Sequence, residues 1–367
     1  MACGGLAVVL RVRDRDAPVT QEGIIFRVYG YDHPPTACVC DVEYAPETIY
    51  RSSNPRAIRD GLPILYYKFY GDEGLRFVMG NYPQYTFFHE PLQRRMVGVR
   101  EGQLSEVRRP DHRFQLFFSE EPDRMIDAAI NLAETVMEVS SLGYSDFGVF
   151  GSLLHDFYNE YFSDIDFVIY GRRNLLDLVD ALGYLYEEDG LLTNEFAQPN
   201  SAFLNKNWRF RNYSLKEYLF YEMRKMIYAV YDSPELGRRV KVEFEPVKDW
   251  SEIKNEYDPK SRITYKGWVR VEATVAEDED SYFTPAIYYL EDVEVIRGVK
   301  ADDIVRAVTY VEEFRMMARK GDRVIIEGML EEVQTPKKSF HQVTLSYMPG
   351  DKYYDQVLKP VKPPSIE

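Results

Sequence analysis

Two aspartates separated by one residue inside an apolar run, Asp164-Ile165-Asp166-Phe167-Val168-Ile169-Tyr170, restrict this chain more than any other feature. Residues two apart on a β-strand share a face, so both carboxylates project together while Ile165 and Phe167 enter a core. A second apolar run, Phe147-Gly148-Val149-Phe150, leads into Gly151-Ser152, and eleven residues then separate Ser152 from Asp164. Gly151 permits close approach of backbone to a phosphate, and Ser152 lies where a following helix presents free N–H groups to an anion. Two carboxylates on one face form half of a cage for paired magnesium ions. Nucleotidyl transfer needs such ions to activate the attacking oxygen and neutralise the leaving pyrophosphate. The pattern predicts Mg2+ on Asp164 and Asp166 and an NTP substrate bound at Gly151 and Ser152.

A third carboxylate on a neighbouring strand normally completes such a site. Val240, Val242 and Phe244 alternate with Lys241, Glu243 and Glu245, which reads as a half-buried strand with both glutamates on its polar face. Glu243 is favoured as the third catalytic carboxylate because Val242 and Phe244 flank it, whereas Glu245 precedes Pro246 at the expected strand end. Both remain candidate metal ligands, and Lys241 on the same face is a candidate partner for either. Lys216 and Arg224, on a helix expected after the capping-box sequence Ser214-Leu215-Lys216-Glu217, are candidates to neutralise the triphosphate. Solvated helix charges are the plainer reading of both.

Gly151-Ser152 followed by Asp164-Ile165-Asp166 resembles the signature of the DNA polymerase β nucleotidyltransferase superfamily. Gly23-Ile24-Ile25-Phe26 and Gly30-Tyr31-Asp32-His33-Pro34, placed ahead of that motif, resemble uncharacterised predicted nucleotidyltransferases of archaea. The superfamily resemblance implies magnesium, a nucleoside triphosphate donor, and transfer of a nucleotidyl group to a hydroxyl with release of pyrophosphate. It places the first two carboxylates on Asp164 and Asp166 and the third on Glu243 or Glu245, where many members carry Asp.

The motif sits in the middle of 367 residues, more than one compact core usually organises. Short apolar runs at residues 24–30, 37–44, 64–69 and 75–80, punctuated by prolines, predict a β-rich N-terminal domain over 1–116. Its arginines Arg94, Arg95, Arg100, Arg108, Arg109 and Arg113 read as a solvated face, and His33 reads as structural. Met125, Ile126, Ala129, Ile130, Ala133, Val136 and Met137 recur at helical spacing and open a catalytic α/β domain over 117–255. Within it helices are expected around 174–182 and 218–231. After a polar linker, β-like runs at 268–275, 286–296, 324–333 and 340–347 suit an OB-like β-barrel over 262–350. Residues 301–318 fit helix or strand equally, and residues 351–367 read as a loose tail. The fold class expected is therefore α+β and multidomain.

A net charge of −15 argues against an indiscriminate nucleic-acid coat, so any polyanion must meet a local basic patch. Two regions offer one. Lys206, Arg209 and Arg211 surround Trp208, and in the last region Trp268, Tyr288, Tyr289 and Phe340 alternate with Arg270, Arg297, Arg323, Lys337 and Lys338. Small barrels bind single strands by stacking and charge, so RNA is the first acceptor considered. Nucleotidylation of a protein or small molecule, or an inactive nucleotide-binding or scaffolding role, are the alternatives. His155, just after the motif turn, is expected in a supporting or surface role. Cys3, Cys38 and Cys40 make neither a disulfide framework nor a zinc site, and no stretch has the length of a membrane span, so a cytoplasmic protein is expected.

Overall fold

The computed structural model describes residues 10–60, 63–121, 123–188, 190–197, 210–212, 214–346 and 350–361. It is a mixed α/β protein built on three sheets. Eight strands form the first: β1 (Ala17–Thr20), β2 (Ile25–Val28), β3 (Ala37–Pro46), β4 (Ile58–Arg59), β5 (Tyr66–Lys68), β6 (Thr86–His89), β7 (Arg94–Arg100) and β8 (Leu104–Arg108). They run in the order β4-β5-β3-β2-β1-β8, and the long β3 also pairs with β7, which carries β6. The apolar run at 75–80 is not a strand. It lies in α1 (Glu73–Asn81), whose Gly74 and Val78 are buried four residues apart on one face, the spacing of a helix.

The arginines of this region divide. Arg94, Arg95 and Arg100 are exposed on β7, whereas Arg113 is buried and reaches Glu120 and Asp156. Arg113 lies on α2 (Pro110–Leu116), which packs on the central sheet through Phe114. His33 is buried, its Nδ1 accepting from the Val39 N–H at 3.2 Å, as a structural histidine should.

The central region runs α3 (Arg124–Glu138), β9 (Phe147–Val149), α4 (Gly151–Leu154), β10 (Ile165–Tyr170), α5 (Arg172–Glu188), β11 (Leu192–Asn194), α6 (Leu215–Lys225), β12 (Tyr228–Ser233) and β13 (Arg238–Val247). Asp123 caps α3 by accepting from the Met125 and Ile126 N–H groups. The five strands lie in the order β11-β12-β13-β10-β9, with β10 and β13 parallel. Ile165, Phe167 and Ile169 of β10 join α3 and α5 in the core. The capping box at Ser214 and Glu217 is formed, but the helix expected over 218–231 stops at Lys225. Met226 turns left-handed at φ 54°, and residues 228–233 pair with β13 instead, because β-branched and aromatic side chains at alternating positions fit that sheet.

The third sheet has six strands: β14 (Arg262–Glu277), β15 (Ala286–Gly298), β16 (Ile304–Thr309), β17 (Arg323–Gln334), β18 (Ser339–Leu345) and β19 (Val357–Pro360). The undecided residues 301–318 thus contain a strand. The tail through residue 361 is not loose, since β19 pairs with β17. Strand β14 pairs with both β15 and β17, while β16 and β18 pair in parallel. Gly328 of β17 permits the close approach of β18, since a Cβ there would stand 2.8 Å from the Thr344 carbonyl oxygen. Tyr288 is fully buried, its hydroxyl donating to the Phe314 carbonyl at 2.7 Å, so it belongs to the core and not to a stacking surface. Among the described residues no helix is long and apolar enough to cross a membrane.

Candidate active site

The parallel register of β10 and β13 sets Asp166 directly beside Glu243 and Val168 beside Glu245. Asp164 lies one position ahead of β10 and keeps contact with solvent, while Asp166 is half-buried. The segment leading into Asp164 is held by Arg238, whose guanidinium donates to the Glu160 carbonyl at 2.8 Å and the Ser163 carbonyl at 2.6 Å. On the other side of β10 the motif turn closes down: the Phe150 N–H donates to the Asp166 carbonyl oxygen at 2.9 Å. Gly151 adopts φ +60°, and any Cβ at this position would overlap the Asp166 carboxylate. Glycine is therefore required here twice over, by backbone conformation and by contact with the acid.

Charge is concentrated at this point. Desolvation, then Glu243 and Asp164, push the Asp166 carboxyl well above its ordinary value, and Lys68 and Lys241 offset this only in part. Asp164 is raised for the same reasons, desolvation first and Glu243 after Lys241's opposing pull. A fourth carboxylate, Glu195, stands in the turn after β11; desolvation raises it against the pull of Lys241, with Glu243 and Asp164 adding to the rise. Sequence reasoning missed it because β11 and β13 meet only through β12. Lys241 bridges Glu243 Oε1 at 2.6 Å and Glu195 at 3.6 Å. Its ammonium is desolvated, yet Glu243 and Glu195 hold its pKa above the usual lysine value.

Other candidates lie elsewhere. Glu245 is buried, its two oxygens taken by Arg15 at 2.9 Å and by Arg315 at 2.6 and 3.1 Å. Both oxygens already accept from guanidiniums that neutralise its charge, so Glu245 is placed as a structural ion pair and not beside Asp164 and Asp166. Lys216 and Arg224 are exposed on α6, Arg224 lying over the Phe220 ring. The cations acting on the carboxylates are instead Lys68, Lys241 and Arg238. His155 is buried, and its Nδ1 lies 3.2 Å from Arg108. Arg211 pairs with Asp355 at 2.9 Å, whereas Lys206, Trp208 and Arg209 lie outside the described residues.

The donor set around Asp166 is all oxygen and carries uncompensated negative charge, which suits a hard divalent cation such as magnesium. Among the described residues, however, no three His, Cys, Asp or Glu side chains are gathered tightly enough to hold a metal ion. The Lys241 contact gives one reason, because it occupies Glu243 Oε1.

An uncharacterised protein of Methanocaldococcus jannaschii is 25% identical over 329 residues, which cover 88% of this chain and 92% of that protein. No family model matches the sequence, and no solved structure matches it significantly. With so much of both chains covered, the similarity reaches all three sheets and is not confined to the aspartate motif.

Proposed function

We propose that this protein is a magnesium-dependent nucleotidyltransferase of the DNA polymerase β type, moving a nucleoside monophosphate from an NTP to a hydroxyl acceptor. The acceptor oxygen bonds to the α-phosphorus, the α–β anhydride bond breaks, and pyrophosphate leaves while the hydroxyl proton passes to solvent. One observation carries the reading: Asp166 stands in register with Glu243, near Asp164 and beneath a glycine turn that a Cβ would block. Asp164, Asp166 and Glu243 would hold the metal. When bound, magnesium supplies activation of the attacking oxygen and neutralisation of the departing pyrophosphate. Glu243 must first part from Lys241, whose ammonium is then free to face an anionic substrate. Gly151 and Ser152 bound the space that the triphosphate would enter.

The third sheet supports a finer assignment. Its pairings run β14-β15-β16-β18-β17 and return to β14, with one parallel pair, as in a small OB-type barrel. In this reading residues 1–116 form the β-rich domain, 117–255 the catalytic domain and 262–350 the barrel that presents the acceptor, with RNA the first choice. Trp268, Arg270 and Arg297 gather around Glu327 on the barrel surface and suit a single strand. A cytoplasmic setting goes with that acceptor.

One observation favours a second reading. Lys241 already neutralises Glu243, which is the arrangement of a nucleotide-binding or scaffolding protein that no longer assembles a metal pair. The test is incubation with each nucleoside triphosphate labelled at the α-phosphate, with magnesium, with and without cellular RNA, beside an Asp164→Ala, Asp166→Ala variant. Label in RNA is expected, and at least ~1000-fold less of it from the variant. Label in the protein itself would make the acceptor a side chain. Equal labelling by the variant would remove the site, and nucleotide binding without any transfer would favour the second reading.

A further inference from the structure

The first sheet faces the motif turn with a cation, Lys68, that makes no ion pair among the described residues. Tyr44 of β3 and Lys68 of β5 stand directly opposite in an antiparallel pair, so their side chains share one face. Tyr66, two residues before Lys68, shares it too. That face meets the residues following Gly151-Ser152. The Tyr44 ring lies 5.4 Å from His155 and 4.9 Å from Phe157, and Tyr66 lies 5.8 Å from Phe157. These contacts, with Leu154, form a small core of their own between the two sheets.

Lys68 is half-buried at the edge of this core, its ammonium 5.9 Å from the Tyr44 ring centre. Among the described residues it makes no ion pair within 4 Å and no side-chain hydrogen bond. Its charge nonetheless acts on Asp164, Asp166 and His155. Tyr44 first, and then Glu43 and Asp166 against desolvation, hold its pKa above the usual lysine value, so it is a fixed cation and not a base. Arg59 approaches the same tyrosine at 6.0 Å, and among the described residues its side-chain hydrogen bonds go to the Arg56 and Ile58 carbonyls. A structural lysine at such a place would close on a carboxylate. This one and Arg59 instead stand together over the Tyr44 ring, and the charge of Lys68 reaches the carboxylates without a contact within 4 Å among the described residues.

We propose that Lys68, carried by the N-terminal sheet, binds the triphosphate of the donor nucleotide across the motif turn, with Arg59 beside it. The inference rests on the nucleotidyltransferase reading and extends it, because it makes the first sheet a wall of the active site. The side of the site on which Lys68 sits decides between donor and acceptor. Its platform packs on the residues after Gly151-Ser152, whereas Lys241 and Arg238 approach from β13. The phosphates belong on the turn side, and the acceptor on the other.

The test uses the full chain with magnesium and inorganic tripolyphosphate, or each of the four nucleoside triphosphates. Lys68→Met keeps the stem and removes the charge. It is expected to weaken tripolyphosphate binding by roughly 10- to 100-fold, the worth of one charge-assisted contact. Where transfer is measured, KM for the triphosphate should rise by a similar factor with kcat little changed. Lys68→Arg should recover most of the loss, which a packing role would not allow, and melting temperatures should agree within about 2 °C. If Lys68→Met and Lys68→Ala bind as tightly as the unchanged protein while Asp164→Ala, Asp166→Ala loses transfer, Lys68 is overturned and the enzyme stands. If the unchanged protein binds neither tripolyphosphate nor any nucleotide, the reading of the site falls and Lys68 with it.

Discussion

Glu243 and Glu245 are the same residue two positions apart on one face of β13, and the fold uses them in opposite ways. Glu245 is sealed between Arg15 from ahead of the first sheet and Arg315 from the third, and Arg15 also reaches Glu312 at 3.0 Å. Burial by itself would raise the Glu245 carboxyl, but the two guanidiniums override it and hold it well below the usual carboxylate range. Among the described residues Glu243 pairs with Lys241 of its own strand, and it shares its surroundings with Asp164 and Asp166, whose carboxyls are raised. One cluster is neutralised and closed; the other is over-charged and open. Structural charge is recognised by completed pairing, and functional charge by what is left unpaired.

The comparison breaks most visibly at Glu245. Glu245→Ala strips the buried Arg315 of its ion pair and leaves Arg15 only Glu312 and Asp14, and is expected to cost ~3–5 kcal/mol in chemical denaturation of the full chain. A triple change to apolar residues, Arg15→Met, Glu245→Leu and Arg315→Met, should cost less, because two guanidiniums and the carboxylate between them leave together and Glu312 keeps Arg27 at 4.0 Å. A loss in the triple variant equal to that of the single would show that packing, and not pairing, matters at this junction.

Gly151→Ala should come next. A left-handed backbone and overlap with the Asp166 carboxylate predict a loss of roughly 1–2 kcal/mol in thermal unfolding, with nucleotidyl transfer falling further than stability. Asp166→Asn works in the other direction: relieving a repelled, half-buried carboxylate should leave stability unchanged or raise it by up to ~1 kcal/mol, while transfer is lost. A clear destabilisation would make Asp166 a structural acid like Glu245.

The smallest effect separates the clusters by pH. Glu245 has a lowered folded pKa, so its stabilisation is complete above the ordinary glutamate value and fades as pH falls below it toward the folded value. The stability gap between the protein and Glu245→Gln should therefore stay flat from pH 8 to about 5 and shrink below. Asp166 has a raised folded pKa, so protonation favours the fold between that value and the ordinary one. Relative to Asp166→Asn, the protein should gain stability as pH falls toward 5, by less than about 1.4 kcal/mol per pH unit. Parallel curves for the two gaps would erase the distinction.

Much of the local architecture was legible in the chain. The period of Met125 to Met137 specified α3, the Ser214 and Glu217 box began α6, and the alternation at Val240, Val242 and Phe244 marked β13. Errors fell where local and long-range preferences compete. Residues 75–80 carry a strand-like apolar run but form the helix that covers β3, and residues 228–231 carry helical spacing but pair with β13. The run Arg13-Asp14-Arg15-Asp16 looks like a solvated charge cluster, yet all four residues are buried. Arg13 meets Asp111 at 2.7 Å, and desolvation raises Asp16 to about 7.

The sequence by itself determined that Asp164 and Asp166 share a face, and that a glycine turn precedes them. Strand alternation and the steric freedom of glycine act over a few residues and need no partner. Only the tertiary structure decided which glutamate joins the aspartates, since Arg15 and Arg315 reach β13 across 230 and 70 residues of chain. The same holds for Lys68 and Glu195. A charge takes its role from the charges around it, and those arrive from segments that no local pattern ties together.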